Sequence, residues 1–198
     1  MATQAEKTAA MRQKLLDATI AVLLARGYKA TSTPAICKLA QVSRGGQLHH
    51  FASKQDLVVA AVEHLFRKRL QEVGARLAEA PGGMLDLQTA AGYLLEIYSG
   101  DTFYAWLELV VAARTDPALN DVLRELDARF VEGAEGLCKN HLLPHGSRND
   151  VRAMTRLILA IFDGLATHRI LTADDKLARR ALATAARAGL FGGGKGKG

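Results

Sequence analysis

Side chains that can donate hydrogen bonds are concentrated between residues 43 and 54 of the 198-residue chain. Arg44 can grip guanine through its two-pronged guanidinium group, and Gln47 can pair with both polar atoms on the edge of adenine. Lys54 can neutralise a phosphate, and His49 can donate to a phosphate or a base. These residue types in so short a segment indicate the chemistry of nucleic-acid recognition.

Cys138, His141 and His145 form a second candidate group, whose spacing suits metal ligands on one helical face. Pro144 interrupts the turn that would bring His145 alongside the others, and no acidic fourth ligand follows nearby. We therefore predict no metal site and no cofactor. The sequence also lacks the G-x-S-x-G, H-E-x-x-H, phosphate-loop and dinucleotide signatures, so we predict that the protein is not an enzyme.

The donors of the first group fall in a helix-turn-helix pattern over residues 32–51. Two helices of about two turns each are joined by Gln41 and Val42 alone. Thr33 is predicted to cap the first helix and Ser43 the second. This layout projects the start of the second helix outward, where a major groove can receive it.

An apolar inner face is expected beneath these two helices. The first turn of the second helix also contains two glycines. Gly45 and Gly46 are weak helix formers, costing about 1 kcal/mol each relative to alanine. They either permit a close approach of the backbone to DNA or leave a loosely wound first turn, and the sequence leaves both readings open. The residues expected on the inner face are Ile36, Leu39, Val42, Leu48 and Phe51.

Residues 12–62 resemble the TetR family of bacterial regulators in several segments. The more specific segments are Val42-Ser43-Arg44-Gly45, His49-His50-Phe51 and Ser53-Lys54-Gln55-Asp56-Leu57. Further agreement lies in Ala25-Arg26-Gly27-Tyr28, Ala30-Thr31-Ser32-Thr33, Ile36 and Leu39-Ala40. The resemblance implies an all-helical homodimer whose third helix reads double-stranded operator DNA and whose C-terminal domain binds an inducer.

The resemblance also assigns DNA contacts by matching position. Thr33 and Lys54 would contact phosphates, while Arg44, Gly46, Gln47 and His49 would face bases, and Ser43 and Gly45 complete the predicted interface. Three positions depart from the family pattern. Gln41 replaces the usual turn glycine and would be slightly strained in a left-handed conformation. Leu48 replaces a common tyrosine, and Gln47 replaces a common apolar residue, which leaves its assignment to groove or core open.

The charge distribution favours the same end of the chain. The net charge is +6. Residues 1–70 carry eleven Lys and Arg against four acids, a balance of +7, and the remainder carries fifteen against sixteen, a balance of −1. A basic first third is expected of a region that meets a polyanion, although an ordinary solvated basic surface is the alternative.

Four prolines and a near absence of β-branched alternation predict an all-α fold. The first helix is expected from about Thr8 to Arg26, and Ser53 is expected to cap a long helix that ends before Pro81-Gly82-Gly83. Further helices are expected near 84–99, 102–114, 118–142, 148–171 and 174–190. We predict a three-helix DNA-binding domain over 8–60, a larger helical bundle for ligand binding and dimerisation over 61–190, and a flexible tail over 191–198.

The second domain supplies the predicted dimer interface and ligand site. Apolar stripes in the last two helices would pair with a symmetry mate, with an intramolecular core as the alternative reading; the residues assigned to the interface are Leu157, Ile161, Gly164, Leu165 and Leu182. Clustered aromatic residues would line a cavity for an apolar or aromatic ligand, with core packing as the alternative for each. The residues assigned to this site are Tyr98, Phe103, Trp106, Phe130, Phe162 and His168.

These patterns predict a sequence-specific DNA-binding transcriptional regulator, most simply a repressor released from its operator by a small, largely apolar effector. One alternative keeps DNA binding without a ligand, as in an activator or a nucleoid-type binder. The other is a helical dimeric interaction or carrier protein with an incidental basic end. Two cysteines, no apolar signal segment and no membrane-spanning run indicate a cytoplasmic protein without a membrane partner.

Overall fold

The computed structural model describes residues 3–79, 92, 94–96, 98, 100–172 and 175–187, and within these ranges the chain is helical with short turns. The predicted break at Pro81-Gly82-Gly83, most of the helix expected near 84–99, and the tail over 191–198 lie outside the described residues. The helices are α1 (Gln4–Ala30), α2 (Thr33–Ala40), α3 (Arg44–His50), α4 (Lys54–Ala78), α5 (Asp101–Ala113), α6 (Pro117–His141), α7 (Arg148–Thr172) and α8 (Asp175–Arg187).

The chain divides into two compact units that are not contiguous in sequence. The first unit comprises Met1–Lys68 and Tyr104–Ala128, and the second comprises Arg69–Phe103 and Arg129–Gly198. Helices α4, α5 and α6 therefore each contribute residues to both units. The units do not follow the predicted boundary between residues 60 and 61, because residues 104–128 pack with the N-terminal helices.

Helix α1 begins earlier than the sequence predicts and breaks where it predicts. Thr3 caps it, with the Glu6 amide donating to Thr3 Oγ1 at 3.2 Å and the Thr3 amide donating to the Glu6 carboxylate at 2.7 Å. This reciprocal pair stabilises a start four residues before Thr8. Gly27 has φ +73° and ψ 170°, a conformation that L side chains rarely adopt, so the regular helix ends there as expected.

Local capping confirms two further predictions and corrects one. Ser43 and Ser53 cap α3 and α4, accepting hydrogen bonds at 3.1 and 3.0 Å from backbone amides three residues on. Helix α2 is preceded instead by Ser32, whose side chain makes no capping bond, and Thr33 is its first helical residue. Thr33 is therefore not the cap but the first helical residue, and Pro34 takes the second helical position.

Each unit has its own apolar core. The first is built largely on α1, α2 and α4; its fully buried members include Leu15, Ile36 and Leu57. In the second, Tyr98 packs against Phe103 and Phe162 with ring centroids 6.0 and 5.4 Å apart. No helix within the described ranges has the length and apolar character needed to cross a membrane.

Candidate nucleic-acid interface and apolar cavity

The turn between α2 and α3 sets the direction of the second helix. Gln41 adopts a left-handed conformation, with φ 56° and ψ 42°. Its amide approaches the Lys38 carbonyl at 3.4 Å, and the Val42 amide donates to the Cys37 carbonyl at 3.0 Å. The expectation of a left-handed turn residue is confirmed. A non-glycine residue there costs about 1–2 kcal/mol.

The exposed face of α3 is the surface that the fold offers to DNA. Arg44, Gly45, Leu48 and His49 are exposed, and their spacing places them on one side of the helix. Leu48 is 53% exposed, so the expectation that it packs on the inner face is wrong. Leu39 of α2, expected on the same inner face, is 56% exposed and is corrected likewise. On the exposed face of α3, Leu48 offers an apolar contact of the kind that thymine methyl groups accept. Its position one turn after Arg44 is the sequence signal that the core assignment missed.

Gln47 lies beneath this face, not on it. Only 1% of its surface is exposed, and its Nε2 donates to the Phe51 carbonyl at 2.6 Å. Its Oε1 is buried without a partner. The assignment of Gln47 to a base contact is therefore corrected to a core position, where the family pattern has an apolar residue.

The two glycines of α3 have different surroundings. A Cβ atom on Gly45 would meet nothing within 4 Å, so no packing inside the chain requires glycine there. A Cβ on Gly46 would lie 3.2 Å from Val42 Cγ1 and 3.3 Å from Ser43 Oγ. Gly46 is thus explained by local packing, whereas the open space at Gly45 favours a close approach by another molecule.

The remaining residues of the predicted interface show mixed environments. Thr33 is half-buried and Ser43 serves as the cap of α3. Lys54 donates from Nζ to the Tyr28 carbonyl at 2.8 Å and lies 4.2 Å from the centre of the Tyr28 ring. Burial lowers the pKa of Lys54 below its usual value. Lys54 therefore fastens the start of α4 to the end of α1, and its phosphate contact stays a prediction.

A separate feature, an apolar cavity of about 70 Å³, lies within the second unit. We call it the second-unit cavity; its walls come from α4, α6, α7 and the helical residues 94 and 98. The lining residues are Arg69, Leu70, Val73, Leu77, Leu94, Tyr98, Phe130, Ala134, Leu137, Cys138, Leu142, Thr155, Ile158 and Leu159.

Two of the six residues assigned to a ligand site, Tyr98 and Phe130, line this cavity. Phe103 and Phe162 are buried beside Tyr98 instead. Trp106 lies in the first unit, 5.1 Å from the Phe66 ring, and His168 is exposed on α7. Trp106 and His168 therefore do not line the second-unit cavity, and their part in ligand binding stays a prediction.

Arg69 is the polar wall residue that the sequence analysis missed. It is 5% exposed, and its guanidinium carbon lies 3.9 Å from the centre of the Tyr98 ring and 6.0 Å from that of Phe130. Its Nη2 is buried without a hydrogen-bond partner. The available signal was its position in the apolar stripe of α4, between Phe66 and Val73 at helical spacing.

The other polar wall groups are engaged. Thr155 Oγ1 donates to the Val151 carbonyl at 2.8 Å, and the Cys138 thiol shares a hydrogen bond with Thr155. Burial raises the pKa of the Cys138 thiol. His141 is half-buried and His145 exposed, and the described residues contain no group of three potential metal ligands.

The predicted dimer residues divide between surface and core. Leu157 is 44% exposed, and Gly164 is exposed, with nothing within 4 Å of an added Cβ. Ile161 and Leu165 are half-buried. Leu182 is buried within its own chain, so its assignment to the interface is corrected to the intramolecular core.

A capped, exposed second helix in a helix-turn-helix and a separate helical unit with a cavity define a one-component DNA-binding regulator. Comparison with known proteins agrees. Residues 15–61 match bacterial regulatory proteins of the tetR family, and residues 99–190 match the C-terminal domain of BetI-type transcriptional repressors. The chain belongs to the TetR family and is a transcriptional regulator, not an enzyme.

Individual relatives support the assignment along most of the chain. The regulator CymR of Pseudomonas putida is 32% identical over 173 residues, covering 87% of this chain and 85% of CymR. BetI of Brucella anthropi is 28% identical over 178 residues, covering 87% of this chain and 88% of BetI. The structure of the multidrug binding protein EbrR with ethidium matches at a TM-score of 0.63 and 28% identity, covering 88% of this chain and 96% of EbrR.

Proposed function

We propose that this regulator is a homodimeric repressor that binds a two-fold symmetric operator through α3 and is released when a small, largely apolar ligand occupies the second-unit cavity. The observation that carries the proposal is the exposed first turn of α3, capped by Ser43 and open at Gly45. Binding to DNA in a bacterial cell also entails a cytoplasmic location, which is part of the proposal.

The DNA contacts follow from the exposed face of α3. Arg44 and His49 offer donors to bases or phosphates, Leu48 offers an apolar contact, and Gly45 lets the backbone come close. Thr33 and Lys54 flank this face as candidate phosphate contacts. The excess of basic residues in the first third supplies the electrostatic attraction that operator binding requires.

The dimer is supported by the outward face of α7. Leu157 and Gly164 are exposed seven residues apart, two turns along one side of the helix, with Ile161 and Leu165 beside them. A glycine in such a face lets a partner helix approach closely. Two copies joined by a two-fold axis would present two α3 helices to the halves of a palindromic site.

Ligand control is supported by the cavity and by the continuity of α4. Residues 54–68 of this helix belong to the first unit and residues 69–78 to the second. A ligand that releases DNA a hundredfold must favour the non-DNA state by about 2.7 kcal/mol, and operator DNA must weaken the ligand by the same factor.

The substitution Gly45→Ala tests the central claim. Alanine should raise the stability of α3 by up to about 1 kcal/mol, since the added methyl group meets nothing in the chain. It should also weaken operator binding at least tenfold, about 1.4 kcal/mol, because the methyl group blocks the approach of the backbone. The operator DNA is obtained by an unbiased selection. Fluorescence anisotropy then measures its affinity for each variant, and thermal unfolding measures the stability.

Gly136→Ala is the matched control, since Gly136 is an exposed helical glycine of α6 whose added Cβ also meets nothing within 4 Å. It should give the gain in stability without the loss of affinity. Equal operator affinities for the two variants would contradict the close approach at Gly45. Failure of the unmodified protein to select any duplex would contradict the proposed function as a whole.

A further inference from the structure

The second-unit cavity holds a charge that an apolar ligand alone does not explain. Its wall is made mainly of aliphatic side chains, among them Leu70, Val73 and Leu159, yet it includes Arg69. Arginine keeps its charge in proteins even where burial lowers its pKa, as it does here. A cation therefore lies in the wall of a low-dielectric space.

The guanidinium group is only partly compensated within the chain. The Tyr98 ring faces it at 3.9 Å, and the charges of Asp163 and Glu72 act on it favourably. Nη2 nevertheless has no hydrogen-bond partner and is inaccessible to solvent. An unsatisfied buried donor of a charged group is costly, and each such group in a native protein needs an explanation.

The sign of the charge determines which ligands suit the cavity. The π-faces of Tyr98 and Phe130, which would attract a cationic ligand, are already approached by Arg69. A second cation in the same space would be repelled by the guanidinium. The cavity of this chain therefore differs in chemistry from a site that takes ethidium, a cation, as EbrR does.

A carboxylate meets both requirements. Its two oxygens match the donor geometry of a guanidinium group, and a charge-assisted bond in a dry site is stronger than one between neutral groups. The rest of the wall then receives the apolar part of the ligand. We infer that the effector of this regulator is an apolar carboxylic acid, bound as its anion, with the carboxylate on Arg69 and the hydrocarbon part in the second-unit cavity.

This inference rests on the proposed function only in taking the ligand to release DNA. Ligand binding and release of DNA are therefore measured separately. Three probes of nearly equal shape differ in charge: benzoate is an anion, benzamide is neutral and benzamidine is a cation. Hexanoate adds a carboxylate with a flexible chain. Isothermal titration and thermal shift on the full chain give the affinity of each. We expect a carboxylate to bind at least tenfold more tightly than benzamide, and benzamidine to bind least.

Substitution at Arg69 assigns the preference to this residue. Arg69→Met keeps the length of the side chain and removes the charge, so it should abolish the preference for benzoate over benzamide. Arg67→Met removes an exposed arginine of the same helix and should leave the preference intact. Should Arg69→Met fail to fold, Arg69→Lys keeps a charge without the fork and should reduce the preference; the three probes on the unmodified chain decide the sign independently.

The cavity itself can be located with its cysteine. Cys138 lines the cavity and Cys37 lies buried in the other unit, so peptide mass spectrometry after iodoacetamide treatment compares the two thiols within one sample. A bound carboxylate should slow alkylation of Cys138 at least tenfold relative to Cys37.

Three results would overturn the inference: no binding of either carboxylate, equal or tighter binding of benzamide or benzamidine, or an unchanged preference in Arg69→Met. A carboxylate that binds through Arg69 yet leaves operator affinity unaltered would uphold the binding site and refute its role as effector. Loss of DNA binding in the absence of any probe bears on the proposed function alone. Release of operator DNA by the same carboxylate, lost in Arg69→Met, would support both.

Discussion

Gln47 and Arg69 bring the same anomaly into the two units: each is a buried polar side chain with one atom that lacks a hydrogen-bond partner. Their surroundings differ. The Nε2 atom of Gln47 donates to the carbonyl of Phe51, the residue directly after α3, and so holds the end of this helix in place. Arg69 faces aromatic rings at the wall of a cavity. A buried polar residue with a partner close in sequence serves the packing of the fold, which we call a scaffold role. A buried polar residue beside a cavity can instead serve a ligand-binding site.

The largest expected effect comes from changing the charge at the scaffold position. Gln47→Glu should destabilise the protein by at least about 3 kcal/mol at neutral pH, because it buries a carboxylate without a cation and faces it with the Phe51 carbonyl. Gln47→Met, of similar shape, loses one hydrogen bond and one unsatisfied oxygen, so it should change stability by less than about 1 kcal/mol. Denaturant unfolding of the two variants measures the difference, and similar midpoints would refute the scaffold role.

Operator recognition should depend on the exposed face and not on the buried glutamine. Arg44→Ala should reduce discrimination between operator and mismatched DNA by about 1–3 kcal/mol, since Arg44 is exposed on α3. Gln47→Met should preserve that discrimination. Competition binding with single-base-pair variants of the operator tests the pair. A loss of specificity in Gln47→Met that matches the loss in Arg44→Ala would return Gln47 to the base-reading residues.

The outward face of α7 provides a smaller effect, confined to association. Gly164→Leu should weaken the proposed dimer about tenfold, or about 1.4 kcal/mol, because the added side chain meets only the partner. Gly136→Leu, at another open glycine, should leave association unchanged. Sedimentation equilibrium over a concentration series gives both constants. An unmodified chain that remains monomeric at micromolar concentration would contradict the proposed dimer.

The smallest expected effect is the change in stability on substitution of Arg69, the residue contrasted with Gln47. Arg69→Met should leave the stability of the ligand-free protein unchanged or slightly higher, within about 1 kcal/mol, because the loss of ring contacts is offset by removal of a buried charge with a free donor. Thermal unfolding without ligand measures it. Destabilisation by more than about 2 kcal/mol would place Arg69 in the scaffold, as Gln47 is.

The sequence predicted helices and caps well because their signals are local. Ser43 and Ser53 act through amides three residues away, and Gly27 breaks α1 through its own φ angle. It predicted the environment of polar side chains less well. A seven-residue helix carries too few apolar positions to fix which side faces inward, so the sequence leaves the environment of Gln47 open and places Leu48 wrongly in the core.

Long-range packing explains the remaining errors. Trp106 lies near several other aromatic residues in the sequence, although it packs against Phe66 in the first unit. Arginine is ordinarily exposed, so the sequence does not place Arg69 in a cavity wall, and only the packed structure shows its guanidinium near two aromatic rings. Leu182 has the apolar character of an interface residue, but a neighbour within the same chain covers it.

Residues 104–128 belong to the first unit although they are distant from it in sequence. This affects how the DNA-binding region could be transferred to another protein. Glu108 accepts a hydrogen bond from the Tyr28 amide at 3.3 Å and fills the space that a side chain at position 27 would need. A chimera joined after Lys68 would carry the whole helix-turn-helix but lose Glu108, and it would leave Phe66 without Trp106. The first 68 residues are thus no independent DNA-binding module, and any graft onto another sensor domain must include residues 104–128.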